Sequence, residues 1–226
     1  MTPSKHKAKP LITCIEDFKQ DFKRRRGIDL DAQKPAQAED AVRDQVLLQL
    51  KRREELWQER CPKLYHETVL SKLPCAKAAI EAVLAHSMHG STGLILHGVP
   101  RTGKTRLAYH KLHDLYMEGV TMRLFDAVGF AAAVVSAYRE GTEEKFYVEH
   151  ARVGVLFVDD IGKAKITPRV AEALFCLVDR RLARGVPCLF TTNLAGKALA
   201  ERFEDKVLYE ALHARWTECY EIVHVK

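Results

Sequence analysis

No apolar run in this chain approaches the roughly 18 residues that a membrane-spanning helix needs, so no span is expected. Its N-terminus, MTPSKHKAKP, lacks the apolar stretch of a secretory signal. There is no C-x-x-C pair among the six cysteines, and Cys14, Cys61, Cys75, Cys176, Cys188 and Cys219 are scattered. That spacing argues against a disulfide scaffold or a zinc knuckle, and Cys176 and Cys188 sit in apolar surroundings suited to reduced, buried thiols. Cys61 and His66 could share a metal, but two ligands without further partners make a poor site. Internal repeats and low-complexity tracts are also missing. A cytoplasmic protein without membrane contact is expected.

What is present is an ordinary globular composition, 47% apolar and 29% charged, with a formal net charge of +6. The basic excess suits a nucleic-acid partner without requiring one. Part of it lies early: residues 1–26 carry eight Lys or Arg against three acids. The KRRR run at 23–26 serves equally as a solvated helix face.

Hydrophobic spacing divides the chain in two. Asp40 through Arg60 reads as a helix, with Val42, Val46, Leu47, Leu50 and Trp57 recurring at three- and four-residue steps. Cys61-Pro62 should end it, because the residue before proline avoids helical geometry. Residues 1–63 are therefore expected to form a basic, helical partner-docking region. Trp57 is its expected anchor, although packing on the chain's own core is the competing reading. A helix follows in PCAKAAIEAVLAHSMHG, with Pro74 in its first turn and Gly90 as its stop.

From Gly93 onward short apolar strands alternate with amphipathic helices. Strands are predicted at 93–98, 121–127, 153–160, 186–193 and 219–225, and two helical pieces separate the second strand from the third. This pattern predicts an α/β sandwich on a five-stranded parallel sheet across residues 64–226, with its chemistry in loops at strand C-termini.

The first strand runs into HGVPRTGKT, which fits G-x-x-x-x-G-K-[ST] with Gly98, Gly103, Lys104 and Thr105 in the fixed places. Such a match arises by chance in roughly one chain of this length in a hundred. Here a strand precedes it and a helix follows, as phosphate binding requires. The expected cradle is Gly98, Val99, Pro100, Arg101, Thr102, Gly103, Lys104, Thr105 and Arg106. Its amides meet a polyphosphate at a helix N-terminus. Lys104 serves the β- and γ-phosphates, and the Thr105 hydroxyl serves Mg²⁺.

The third strand, VGVLFVDD, ends on two carboxylates, a Walker B arrangement. Asp159 is expected to hold Mg²⁺ and Asp160 to orient or deprotonate the attacking water. Taken alone, the pair could merely cap a turn. LFTTN ends the fourth strand on Asn193, placed either to reach the γ-phosphate or water or to cap the next helix.

Together GVPRTGKT, LFVDD and LFTTN resemble an ATPase of the AAA+ class. VLFVDDIG, LVDRRLARGVPCLFTTNL and ARWTECYEIVHV are similar to the DnaC-type helicase loaders and IstB-type transposition ATPases. The resemblance covers roughly residues 64–226. It implies ATP and Mg²⁺ as cofactors and ATP-dependent self-assembly, with Arg215 reaching into a neighbour's site and Arg202 as the weaker candidate. It also implies single-stranded DNA along an inner surface, where Arg139 and Lys145 are the basic residues available, and a replicative helicase as partner. The alternatives are a transposition helper acting on duplex DNA and a nucleotide-dependent scaffold with little turnover. Arg101 departs from the glycine usual at its position. The lid that many relatives carry after the last strand is expected to be lacking.

Overall fold

The computed structural model describes residues 35–226, other than 89 and 91, so the readings on the basic N-terminal stretch lie outside the described residues. The chain divides into two compact units, Met1–Leu56 and Trp57–Lys226. The described part of the first is helical and belongs to α1 (Pro35–Arg60). Along it Leu47 and Leu48 are exposed, whereas Val46 and Leu50 are half-buried.

The second unit contains the end of α1, then α2 (Lys77–Ala85), β1 (Gly93–His97), α3 (Lys104–Met117) and β2 (Met122–Asp126). Next come α4 (Ala127–Glu140), α5 (Glu143–Arg152), β3 (Val155–Asp159), α6 (Pro168–Ala183) and β4 (Cys188–Thr192). The short α7 (Gly196–Ala200), α8 (Lys206–Cys219) and β5 (Tyr220–His224) complete it. All five predicted strands form, each within a few residues of its expected bounds. The two helical pieces expected before the third strand are α4 and α5. The segment read as one helix or several after the fourth strand is two, α7 and α8.

The strands form one sheet in the order β2-β3-β4-β1-β5, and every pairing is parallel. Parallel strands covered on both faces read as continuous apolar runs, which is why the strands stood out in the sequence. Within each strand successive side chains go to opposite faces. Leu94, Leu96, Val155, Phe157 and Leu189 pack with Leu107 and Leu112 of α3. Ile95, Leu156, Val158 and Phe190 pack with Leu174 and Leu177 of α6 and Trp216 of α8. Among the described residues no helix is long and apolar enough to cross a membrane.

Two buried features hold this layer arrangement. Trp57 is buried and lies 5.5 Å from the ring of Tyr116 and 5.6 Å from that of His113. Of the two readings of Trp57, partner anchor or core packing, the structure has the second: it seats Trp57 on α3, whose aromatic face covers the helix's last turn. Arg181 of α6 is fully buried, and its guanidinium donates to the carbonyls of His150, Val153, Gly154 and Pro187. A buried cation is tolerated there because four carbonyl dipoles replace its water. The bonds tie together the segments that lead into β3 and β4.

The strand order decides where the chemistry lies. β1, β3 and β4 are separated in sequence but adjacent in the sheet, so the three loops leaving their C-terminal ends converge on one edge.

Candidate functional site

The loop after β1 is shaped by close approach. A Cβ at Gly98 would stand 2.0 Å from the carbonyl oxygen of Val225, so only glycine fits beside the strand partner. Gly103, at φ 90°, turns the chain into α3 from a left-handed conformation that a side chain rarely adopts. Between them Thr102 Oγ1 donates to Val99 O at 3.0 Å, closing the loop on itself. Lys104 is buried, and its Nζ donates to Val99 O at 2.7 Å and to Thr102 Oγ1 at 3.4 Å. Burial pushes its ammonium pKa down, against the opposing pull of Asp160 and Asp159.

At the end of β3, Asp159 Oδ1 accepts from Thr105 Oγ1 at 2.9 Å and from Thr191 Oγ1 at 2.5 Å. Burial raises the Asp159 pKa and the Asp160 charge adds to that, while the two hydroxyl bonds and Lys163 act the other way. A half-buried carboxylate beside a hydroxyl, both hard oxygen donors, suits Mg²⁺. Among the described residues there is no group of three or more His, Cys, Asp or Glu that could hold a metal by itself. Such an ion would therefore complete its shell with phosphate and water, the usual arrangement for Mg²⁺. Cys61 and His66 do not form a metal pair, since the His66 ring bonds the Cys61 carbonyl at 2.7 Å.

Asp160 takes φ 59°, a strained value for a residue with a side chain. Its amide donates to Thr191 Oγ1 at 2.7 Å, and its Oδ1 accepts from Asn193 Nδ2 at 2.5 Å. Thr191 thus relays between the two acids, receiving from the Asp160 backbone and donating to the Asp159 carboxylate. Asn193 is spoken for by an acid at the end of β3 rather than by the helix that follows it.

One cleft of about 450 Å³ is lined by Pro100, Arg101, Gly103, Lys104, Thr105, Arg106, Asp160, Thr191 and Asn193, together with Leu64, Tyr65 and Pro74. Val99 points outward and contributes its carbonyl. Arg106 lies over the Tyr65 ring at 5.8 Å, and Tyr65 stacks on Tyr109 at 4.7 Å. Leu64, Tyr65, Pro74 and Thr191 were missed by sequence reasoning. The first three come from the irregular stretch before β1, which matches no motif. Thr191 reads only as a polar residue inside an apolar strand, and that was the available signal.

The other predicted residues lie elsewhere. Arg215, on α8, is half-exposed, and its Nε donates to Asp179 Oδ1 of α6 at 3.1 Å. Arg202 lies beside the turn after Asp160, with its Cγ 3.6 Å from a Cβ built on Gly162. Arg139 and Lys145 are exposed near the junction of α4 and α5, in a stretch of sequence that also carries Glu140, Glu143, Glu144 and Glu149. Neither lines the cleft.

A model of the IstB-like ATP binding proteins matches residues 37–226. The protein YdaV of Escherichia coli is 30% identical over 146 residues, covering 62% of this chain and 58% of that one. Rv3427c of Mycobacterium tuberculosis, whose description is that of an ATP-binding protein in an insertion sequence, is 26% identical across 64% of this chain and 57% of its own. The chain thus spans less than three-fifths of these two relatives. Among solved structures, DnaI superposes with a TM-score of 0.60 at 20% identity, over 74% of this chain and 95% of that one. The DnaC helicase loader gives 0.56 at 24%, over 73% and 95%. The replication initiator DnaA bound to AMPPCP and single-stranded DNA gives 0.58 at 16%, over 73% and 50%. At these identities the likeness is one of fold.

Proposed function

This chain belongs to the IstB-like ATP-binding family, and from that premise we propose that it hydrolyses Mg²⁺-bound ATP to drive an assembly on DNA. One observation carries the hydrolysis: the Asp160 carboxylate is held 2.5 Å from the Asn193 amide, in the cleft that Lys104 and Thr105 also line. Asp160 orients and deprotonates the attacking water, and Asn193 fixes the carboxylate that does so. The loop amides of residues 99–105 and Lys104 take the phosphates. Thr105 and Asp159 would hold Mg²⁺, which would supply positive charge to the phosphate oxygens. Leu64, Tyr65 and Pro74, which line the same cleft, receive the base. Arg215 completes the site of an adjacent subunit, released from Asp179, with which it forms a solvent-exposed pair.

The assembly loads a replicative helicase onto single-stranded DNA. The fold shared with the DnaC helicase loader and with DnaA on single-stranded DNA supports that reading. A second reading, a transposition helper on duplex DNA, is favoured by the family itself and by the insertion-sequence relative.

Asp160→Asn is the direct test. Asparagine tolerates the left-handed conformation at this position, so the variant should fold. It should bind Mg²⁺-ATP with wild-type affinity and lose turnover by roughly 10²–10⁴-fold. Unchanged turnover removes Asp160 from the mechanism, and a wild-type chain that binds ATP without hydrolysing it is a scaffold. Stimulation by single-stranded rather than duplex DNA supports the loader; the reverse order supports the transposition helper.

A further inference from the structure

Arg101 occupies the crest of the phosphate loop at φ 68°, a backbone conformation in which a side chain is strained and glycine is not. The strain is unrelieved by any internal bond, because among the described residues Arg101 has neither a hydrogen bond nor an ion pair. It is exposed, yet it lines the cleft with Lys104, Thr105 and Asp160. The other charged groups in and beside that cleft are engaged. Lys104 is buried against its own loop carbonyl, and Arg106 lies over Tyr65. Asp159 accepts from two threonines, and Asp160 accepts from Asn193 and faces Lys163 at 4.0 Å. Arg101 is therefore the charged group lining the cleft that has no internal partner among the described residues, held there by a loop that would be easier to close without its side chain.

We propose that the Arg101 side chain is a second cationic ligand for the nucleotide's phosphate chain, acting within its own subunit and selecting nucleoside di- and triphosphates over monophosphates. This rests on the nucleotide-site reading above and deepens it. A guanidinium presents a planar fork of donors that matches a pair of phosphate oxygens, which the single point charge of Lys104 does not. The loop amides and the N-terminus of α3 already favour an anion at the same place. Arg101 adds a contact that a monophosphate is too short to satisfy together with the rest of the cradle.

The experiment measures dissociation constants of the full chain for ADP, AMPPCP and AMP by titration calorimetry, at protein concentrations where it is monomeric. Arg101→Gly removes the side chain and relieves the backbone. It should melt no lower than wild type and bind ADP and AMPPCP on the order of tenfold more weakly, the loss of one charge-assisted contact. AMP binding should be unaffected. Arg101→Lys should recover only part of the loss, because it restores the charge without the fork. Wild-type ADP affinity in Arg101→Gly, with binding lost in Lys104→Ala, overturns the assignment and leaves the cradle standing. Wild-type affinity in Lys104→Ala as well overturns the nucleotide site itself. A loss seen only in assembled protein overturns the claim that Arg101 acts within its own subunit.

Discussion

At the scale of single residues, the candidate site is defined by who lacks room and who lacks water. Gly98 lacks room: a methyl group there meets the Val225 carbonyl, which belongs to the backbone following β5 and cannot rotate aside. Gly98→Ala should accordingly destabilise the fold by about 1–3 kcal/mol, the usual penalty for overpacking. It should weaken ADP binding at the same time, because the loop can yield only by leaving its position. Chemical denaturation and ADP titration check both halves; a variant as stable as wild type would mean that the loop and Val225 are not held together in solution. Lys104 is buried and Asp159 half-buried, so both charges are short of water. Their pKa shifts, downward and upward, both reflect burial of a charged form that an added phosphate and cation would compensate.

At the scale of elements, the aromatic ladder on α3 carries more than packing. Trp57 faces Tyr116, His113 and Tyr109, Tyr109 stacks on Tyr65, and Tyr109 meets Phe157 of β3 edge-on at 5.5 Å. The last turn of α1 is thereby connected through Tyr109 to Tyr65, which lines the cleft. Trp57→Ala should cost about 3–5 kcal/mol in urea or guanidinium unfolding, the range for deleting a buried large aromatic. Were Trp57 a partner anchor instead, the same substitution would leave unfolding unchanged and abolish partner capture. It follows that a truncation starting at residue 63 removes part of the core, whereas one starting just before Trp57 preserves it. The periodicity of residues 40–60 correctly marks a helix but does not say where along it the apolar face changes its role. That depends on which side chains α3 presents, and α3 lies some fifty residues further on.

At the scale of the whole molecule, Arg215 is the residue whose proposed role no single chain can fulfil. Its pair with Asp179 is half-exposed on both sides, so exchanging it for a neighbour's phosphate costs little. Arg215→Ala should leave stability within about 0.5 kcal/mol of wild type, as expected of a surface substitution, and leave ADP affinity intact. Turnover in assemblies should be lost. Mixing this variant with Lys104→Ala subunits should restore part of the activity, because each damages a different half of a shared site. With assembly verified by light scattering, a mixing series without any recovery counts against a role in trans.

The sequence by itself determined the parts whose physics is local. A glycine-rich turn between strand and helix, an apolar strand ending in two acids and the alternation of periods are all read within ten or fifteen residues. The glycine-rich loop, the acidic end of β3 and the five strands were therefore visible in advance. Only the tertiary structure decided which of these pieces meet. Thr105 and Asp159 are 54 positions apart, and Asn193 is 33 from Asp160. They come together because β4 pairs with both β3 and β1. The same pairing recruits Thr191, and the packing of α3 buries Trp57 and positions Tyr65. Such contacts depend on strand order and on the faces that helices share, and neither leaves a periodic trace in the residues concerned.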